Sequence, residues 1–474
     1  MKISSAFHCM PFDFRVTWYP NACQMKRIIH LVFIALFATN CFSQTFTPGN
    51  FVVVRIGSGA TVLAAGEAQP VFVDEYNSCG DLVRSIPMPV AVSGSNKRLT
   101  LPISTSDYTE GYISLSQDGT KLALAGYDAD PGTAAVSATA TTTVKRVIGI
   151  VDANGNVNTT TALSAFSSQA VRAAVINGSD IWVSGGSGGI MYTTLGSTTH
   201  VQLTNTTARS LVVLNGQLYA SSTSGALRIT TVGTGLPVTA GQTMVNLPGT
   251  PTTGNPYQFF IAKGSGGLDV LYVAHENLLR KYSLSGGSWV SNGMIGIASD
   301  KYRAVTGQVT TNGHVLLYAI RRNDNTTSAG GEIVTLIDST GYNTDFSSLL
   351  PTLIVQQNDN NVFRSIMMTP GTTISPNAET VINQLTLQKE ADSLNLQLTP
   401  NAAKEKVLVT FNKEQMHNAR IVVTNAAGQI VKQLEAASTQ AGQVTIDVTG
   451  LTKGVYYVTL NNGKRQQTKR LLVL

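Results

Sequence analysis

Cysteine is scarce: Cys9, Cys23 and Cys41 fall within the first 44 residues, and Cys79 is the only one in the rest of the chain. A lone thiol closes no loop, so a disulfide framework is excluded for the body and its stability must come from burial. Charge is thin as well, at 13% Asp, Glu, Lys and Arg, and aromatic residues make up 7%. No window of a dozen residues sustains a helical period, which excludes helical bundles and coiled coils. The longest apolar run, 28–38, is too short to span a bilayer.

The formal charge of +6 belongs to the two ends. Residues 1–44 carry a net +3, residues 393–474 a net +6, and the 348 residues between them a net −3. The body therefore offers no cationic footprint for a phosphate backbone, and no nucleic-acid partner is expected. Read from Met25, "MKRIIHLVFIALFATNCFSQ" has a cationic pair (Lys26, Arg27), an apolar stretch, then small and polar residues, with cleavage expected after Ser43. These are the proportions of a secretory signal. Cys41 admits a second reading as a lipid-attachment cysteine, against which stands Asn40 before it. The 24 residues ahead of Met25 have no comparable pattern, and an over-called start is expected there.

From Thr45 to Gly371 short apolar or alternating runs such as "FVVVRIG", "VIGIVDANGNV" and "HVLLYAIRR" are separated by Gly, Asn, Asp and Ser clusters. Turn pairs at Asp118-Gly119, Asn154-Gly155, Asn177-Gly178 and Asn215-Gly216 mark hairpins, so the region is all-β. One phrase returns: "VRAAVI", "ARSLVV", "YRAVTG" and "FRSIMM" each place an arginine between an apolar or aromatic residue and a small one. The intervals between Arg172, Arg209, Arg303 and Arg364 are 37, 94 and 61 residues. Units of about 40 to 50 residues with four strands each are the signature of β-propeller blades. "YQFFIAKGSGGLDVLYVA" fills the missing unit, and "EGYISLSQDGTKLALAG" opens an earlier one without the arginine. "FRSIMM" is a first strand with no blade after it, while "FVVVRIG", "PVFVDEY" and "DLVRSIPM" lack a first strand before them. Pairing the two ends closes the ring and removes exposed edges. The expectation is six blades, or seven if the spare length after Arg303 holds another.

Residues 372–392 turn polar and read as a linker. A small β-sandwich of about 80 residues, of immunoglobulin-like kind, is expected over 393–474. In order, that segment holds "LTPNAAKEKVLVTF" with Pro400 and Asn401, "IVVTNAAGQIVKQ" with Gly428, "IDVTGLTKGVYYVTL" with Leu451, Gly454 and Tyr456, and the closing "KRQQTKRLLVL" with Lys469 and Arg470. It resembles the type A C-terminal sorting domain of the type IX secretion system of Bacteroidetes, departing from it at Ala402, where a second proline is usual. The resemblance implies export across the outer membrane, with release or attachment to the cell surface, and the secretion machinery and its sortase as partners. On residue chemistry alone, Gly428 and Gly454 suit tight turns with positive φ, and Lys464, Arg465, Lys469 and Arg470 form a basic closing hairpin that guards a sheet edge.

The four arginines admit two readings. Set at one level around an axis, they form a ring of donors for an anionic ligand such as a carboxylate or acidic sugar; paired with carboxylates such as Asp180, Asp300 or Asp345, they staple neighbouring blades. "GGSGG" at 185–189 matches a nucleophile elbow around Ser187 only formally, because a strand follows where a helix is required. Asp128 and Asp130 supply two loop oxygens without a calcium-loop set, and His200, His275 and His314 are too dispersed for zinc. No metal, cofactor or catalytic set is expected. Trp182, Trp289, Tyr192, Tyr219 and Tyr257 read as blade packing or as sugar-stacking surfaces. Asp338-Ser339-Thr340 and Asp392-Ser393-Leu394 resemble an O-glycosylation sequon of Bacteroidetes. The sequence thus points to a secreted or outer-membrane-surface monomer with no transmembrane segment in the mature chain. Its propeller is expected to bind a glycan, surface polymer or protein; the alternative is a propeller enzyme such as a polysaccharide lyase, a hydrolase or a quinoprotein-like dehydrogenase.

Overall fold

A computed structural model describes residues 45–103, 109–263, 269–322, 330–357, 360–371, 396–411, 420–425, 428–435, 442–461 and 466–474. The signal segment, the linker, Ser393, Lys464 and Arg465 lie outside the described residues.

Among the described residues every regular element longer than a single turn is a strand. β1 (Phe51–Ile56), β2 (Ala68–Tyr76) and β3 (Leu82–Pro87) form three strands of one blade, and β4 (Thr100–Pro102) links it to the next. Blade 2 is β5 (Ser114–Leu115), β6 (Lys121–Tyr127), β7 (Arg146–Asp152) and β8 (Val157–Leu163). Blade 3 is β9 (Val171–Asn177), β10 (Asp180–Gly185), β11 (Ile190–Thr194) and β12 (Val201–Thr204). Blade 4 is β13 (Leu211–Leu214), β14 (Gln217–Ser221), β15 (Ile229–Val232) and β16 (Met244–Asn246). Blade 5 is β17 (Pro256–Ala262), β18 (Val270–His275), β19 (Leu278–Ser285) and β20 (Ser288–Ile295). Blade 6 is β21 (Ala304–Val309), β22 (Val315–Arg321), β23 (Glu332–Asp338) and β24 (Thr352–Gln356).

The ring closes as its ends require. β25 (Val362–Met368) runs antiparallel to β1, with Phe51 opposite Met368 and Val54 opposite Ser365, and becomes the innermost strand of blade 1. The described residues thus make six four-stranded blades. Among the described residues the span between Arg303 and Arg364 holds one blade, and part of its spare length is the connection 339–351 between β23 and β24. Alternation along the strands sends apolar residues to both faces, so packed blades share continuous cores: Val52, Leu124, Val147 and Val183 belong to one, Tyr272, Val305, Leu317 and Phe346 to another.

The C-terminal segment is a sandwich of two sheets. β26 (Gln397–Thr399), β28 (Lys406–Thr410) and β31 (Gln443–Asp447) form one. β27 (Ala402–Ala403), β33 (Gln466–Val473), β32 (Gly454–Asn461), β29 (Arg420–Asn425) and β30 (Ile430–Glu435) form the other. Val407, Val409, Ile421, Val423, Val458, Leu460 and Leu471 fill the space between them. Among the described residues no helix is long and apolar enough to cross a membrane.

Candidate functional site at the mouth of the propeller

The recurring arginine is the extra residue of a β-bulge at the start of each innermost strand. In blade 1, Val54 and Arg55 of β1 face Ser365 and Phe363, so the register skips Arg364. In blade 3, Ser184 and Gly185 face Ala173 and Val171, leaving Arg172. In blade 4 the Arg209 N–H donates to Ser221 O while the Ser221 N–H donates to Ser210 O, so two residues oppose one. Blade 6 repeats this with Arg303 N–H to Ile320 O beside the Ala304–Ile320 pair. In blade 5 the register also slips, between Pro256 and Phe259, and Tyr257 takes the place of the arginine. A bulge re-aims the side chain it carries, and in the four arginine blades a small residue, Ser365, Ala173, Ser210 or Ala304, follows it.

Blade 2 has Gly111 at the equivalent position. Ser365 Oγ donates to Gly111 O (2.7 Å) and Ser210 Oγ donates to Tyr257 O (3.0 Å), the same reach from one blade to the ring position of the next. The residue is glycine because its neighbour's arginine lies over it: a Cβ there would come within 3.1 Å of Arg364 Cγ and 2.8 Å of Leu101 Cδ1, and its φ is +83°. Around the axis the ring therefore reads Arg364, Gly111, Arg172, Arg209, Tyr257, Arg303.

These side chains are buried, and the contacts they make run from blade to blade. Arg172 Nη1 donates to Ala208 O (3.4 Å) and Arg209 Nη1 to Pro256 O (3.0 Å), in each case the carbonyl just before the next ring position. Arg303 Nη1 donates to Glu276 O and Tyr302 O. The guanidinium carbons of Arg209 and Arg303 lie 4.7 and 4.6 Å from the centroid of the Tyr257 ring, a cation–π arrangement at both. Arg228, buried in the loop between β14 and β15, donates to Gly225 O and Leu227 O; burial and the nearby Arg209 charge lower its pKa.

The carboxylates expected as possible staples each have another partner among the described residues. Asp300 pairs with Arg321 and Arg322, Asp180 accepts the Tyr192 hydroxyl, and Asp345 accepts the Ser347 N–H. A one-dimensional reading has no means of choosing among acidic residues brought close by blade curvature. What it missed is Glu110. This residue precedes Gly111, where the other blades have Phe363, Val171, Ala208, Pro256 or Tyr302, and an acidic residue in that apolar column was the signal available. Glu110 is buried and accepts the Tyr127 hydroxyl at 2.9 Å; that hydroxyl in turn accepts the Val171 N–H. Burial pushes the Glu110 carboxyl up to about 7, and the Tyr127 hydrogen bond and the charges of Arg364 and Arg172 only partly offset it.

Below this level Gln258 of blade 5 spans the axis. Its Nε2 donates to Ile366 O of blade 1 (2.7 Å) and Ile113 O of blade 2 (3.3 Å), and its Oε1 accepts the Ile366 N–H. The innermost strands leave backbone groups facing the axis, and one side-chain amide satisfies three of them.

Other sequence candidates resolve individually. Asp128 and Asp130 both hold Arg98. His275 is buried at the end of β18, where burial first and Arg280 second push it down to about 4. Ser187 sits in the turn before β11, a strand. Trp182 and Trp289 are buried in blade packing. Asp338 forms a buried ion pair with Lys281 (2.7 Å), and Ser339 beside it is exposed. In the C-terminal sandwich Gly428 has φ +79° in the hairpin before β30, while Gly454 is the first residue of β32 rather than a turn residue. The Tyr456 hydroxyl donates to Thr452 O, Leu451 packs against the core, Lys469 and Arg470 lie on β33 opposite Val458 and Tyr457, and Pro400 and Asn401 lie between β26 and β27.

Residues 397–474 match the family model described as the secretion system C-terminal sorting domain. The chain is a cargo of type IX secretion. That domain directs export and cell-surface attachment, and the machinery that reads it is a partner. No curated protein matches the chain. Among solved structures, PorZ of Porphyromonas gingivalis, titled an essential bacterial surface component of the type-IX secretion system, is 13% identical over 92% of this chain and 60% of its own, with a TM-score of 0.34. A candidate 6-phosphogluconolactonase of Bacteroides uniformis is 14% identical over 84% of this chain and 97% of its own, with a TM-score of 0.36. A quinonprotein alcohol dehydrogenase-like protein of Bacteroides thetaiotaomicron is 11% identical over 69% and 79%, with a TM-score of 0.38. Likenesses this distant transfer no activity.

Proposed function

We propose that the exported protein is a non-catalytic binding module whose propeller mouth, carried by Arg172, Arg209, Arg303 and Arg364, holds an anionic ligand, a carboxylate or acidic sugar on a glycan or surface polymer. The observation that carries this reading is the repeated bulge. It sets a guanidinium at the start of the innermost strand in four of the blades, and Arg228 lies close enough for its charge to be felt at Arg209. Guanidiniums gathered at one end of the ring suit an anion that displaces water from them. In this reading the domains divide the work: residues 45–371 bind, 372–392 link and 393–474 address.

One observation favours the enzymatic alternative. A buried carboxyl titrating near neutrality beside arginines suits general acid or base chemistry, and Glu110 is such a group. A screen of the full chain against acidic and neutral polysaccharides, reading retained binding and product release together, separates the two. Retention of acidic polymers without product supports the module; product release that Glu110→Gln abolishes overturns it.

A further inference from the structure

The outer edge of blade 4 carries a cleft of about 650 Å3 under the loop 233–243, which joins β15 to β16. That volume is within the range of small-molecule sites. The loop is held from several sides. Trp182 Nε1 of blade 3 donates to Pro237 O (2.7 Å), the Gln242 N–H donates to Leu203 O (2.8 Å), and the Gly235 N–H donates to Gln217 Oε1 (2.8 Å). The Gly233 N–H closes the loop on Thr243 O at 2.8 Å. A ligand therefore meets walls already formed rather than a loop it must order.

The lining is chemically one-sided in an informative way. No ionisable side chain contributes to it. Thr231, Thr234, Thr239, Thr243 and Gln242 supply its polar side chains, with Gln242 Nε2 donating to Thr239 O at 3.0 Å. The lips are Val238 and Val245, 43% and 59% exposed. A charged ligand would find no counter-charge here, and a purely apolar one would strip water from the threonine hydroxyls and give nothing back. A pyranose ring offers what both parts of the lining accept: hydroxyls that donate and accept in its plane, and an aliphatic C–H face. We infer that this cleft is a binding site for a neutral saccharide unit, separate from the arginine mouth and independent of it.

Saturation-transfer NMR on the full chain with neutral malto-, cello- and xylo-oligosaccharides tests this. The expected result is transfer to the ring protons of at least one of them, with affinity lowered roughly tenfold in Thr231→Val/Thr243→Val, a loss of hydrogen bonds. Val238→Asp, an exposed change that leaves folding intact, should weaken binding by a similar factor by placing a charge on the lip. Arg209→Lys should leave it unchanged. Absence of transfer from the whole panel overturns the inference. So does transfer that survives both cleft variants, or that is lost with Arg209→Lys while the thermal midpoint is retained.

Discussion

The propeller and the C-terminal sandwich are both all-β, yet they are stabilised differently. Among the described residues the sandwich buries no polar or charged side chain: its core is Leu396, Val407, Ile421, Val458, Leu471 and their aliphatic neighbours, with Phe411 and Tyr456 as the aromatic members, and its charges lie outside. The propeller buries Lys281, Asp338, Glu110, Arg146, Gln258 and the ring arginines. A sandwich closes its core with two faces, and apolar alternation suffices. A ring must also join each blade to the next at the crowded axis, where backbone edges point inward, and polar side chains meet that need.

The largest expected effect tests this contrast at its most buried point. Lys281 of blade 5 meets Asp338 of blade 6, and Asp338 also accepts the Tyr272 and Thr340 hydroxyls. Burial alone would raise the Asp338 carboxyl, but hydrogen bonds from Lys281, Thr340 and Tyr272 outweigh it and hold it below the usual range. Lys281→Met strands that carboxylate and should cost about 3–5 kcal/mol of propeller stability in denaturant titration. Ile421→Ala in the sandwich, a cavity without a stranded charge, should cost about 3 kcal/mol. If both core changes cost the same and adding Asp338→Leu recovers nothing, the contrast fails.

Next in size is the pH dependence set by Glu110. The folded protein holds this proton up to about pH 7, whereas the unfolded chain releases it near 4.5. Stability should therefore fall by about 3 kcal/mol as pH rises between those values and stay level above, and Glu110→Gln should abolish the slope. His275 pulls the other way, since its folded pKa of about 4 lies below the ordinary 6.5, so acidification through that window destabilises the protein. The two are separated by measuring each variant alone. A Glu110→Gln profile parallel to that of the parent would remove Glu110 from the account.

Gln258→Leu should cost about 2–3 kcal/mol by leaving buried backbone groups of Ile366 and Ile113 without their partner. A stability change below the error of the measurement would mean that water fills the axis. At the small end, Lys469→Ala/Arg470→Ala, both exposed, should stay within about 0.5 kcal/mol, and the place in the sorting signal that we propose for them predicts reduced export. Normal export of that variant would remove them from the signal.

Legibility in the sequence follows the same contrast. The sandwich was readable through a tail of ordered motifs, and the blades through alternation, turn pairs and spacing, including the pairing of β25 with β1. The arginine column was visible, but its cause was not: a bulge is a two-against-one register between strands, and neither strand alone encodes it. β4, three residues linking two blades, and the two-residue β5 are too short for any period. Glu110, Gln258 and the Lys281–Asp338 pair matter through partners tens to hundreds of residues away, so spacing could not join them.

The most direct test of the account is calorimetric titration of the full chain with polygalacturonate and with a neutral polymer, at low and at physiological ionic strength, for the parent and for Arg228→Gln. The account predicts binding of the acidic polymer that weakens with salt and weakens further when that arginine is neutralised, while the neutral polymer is unaffected by either change. Binding of polygalacturonate that is indifferent to both salt and Arg228→Gln, or no binding at all, would contradict it.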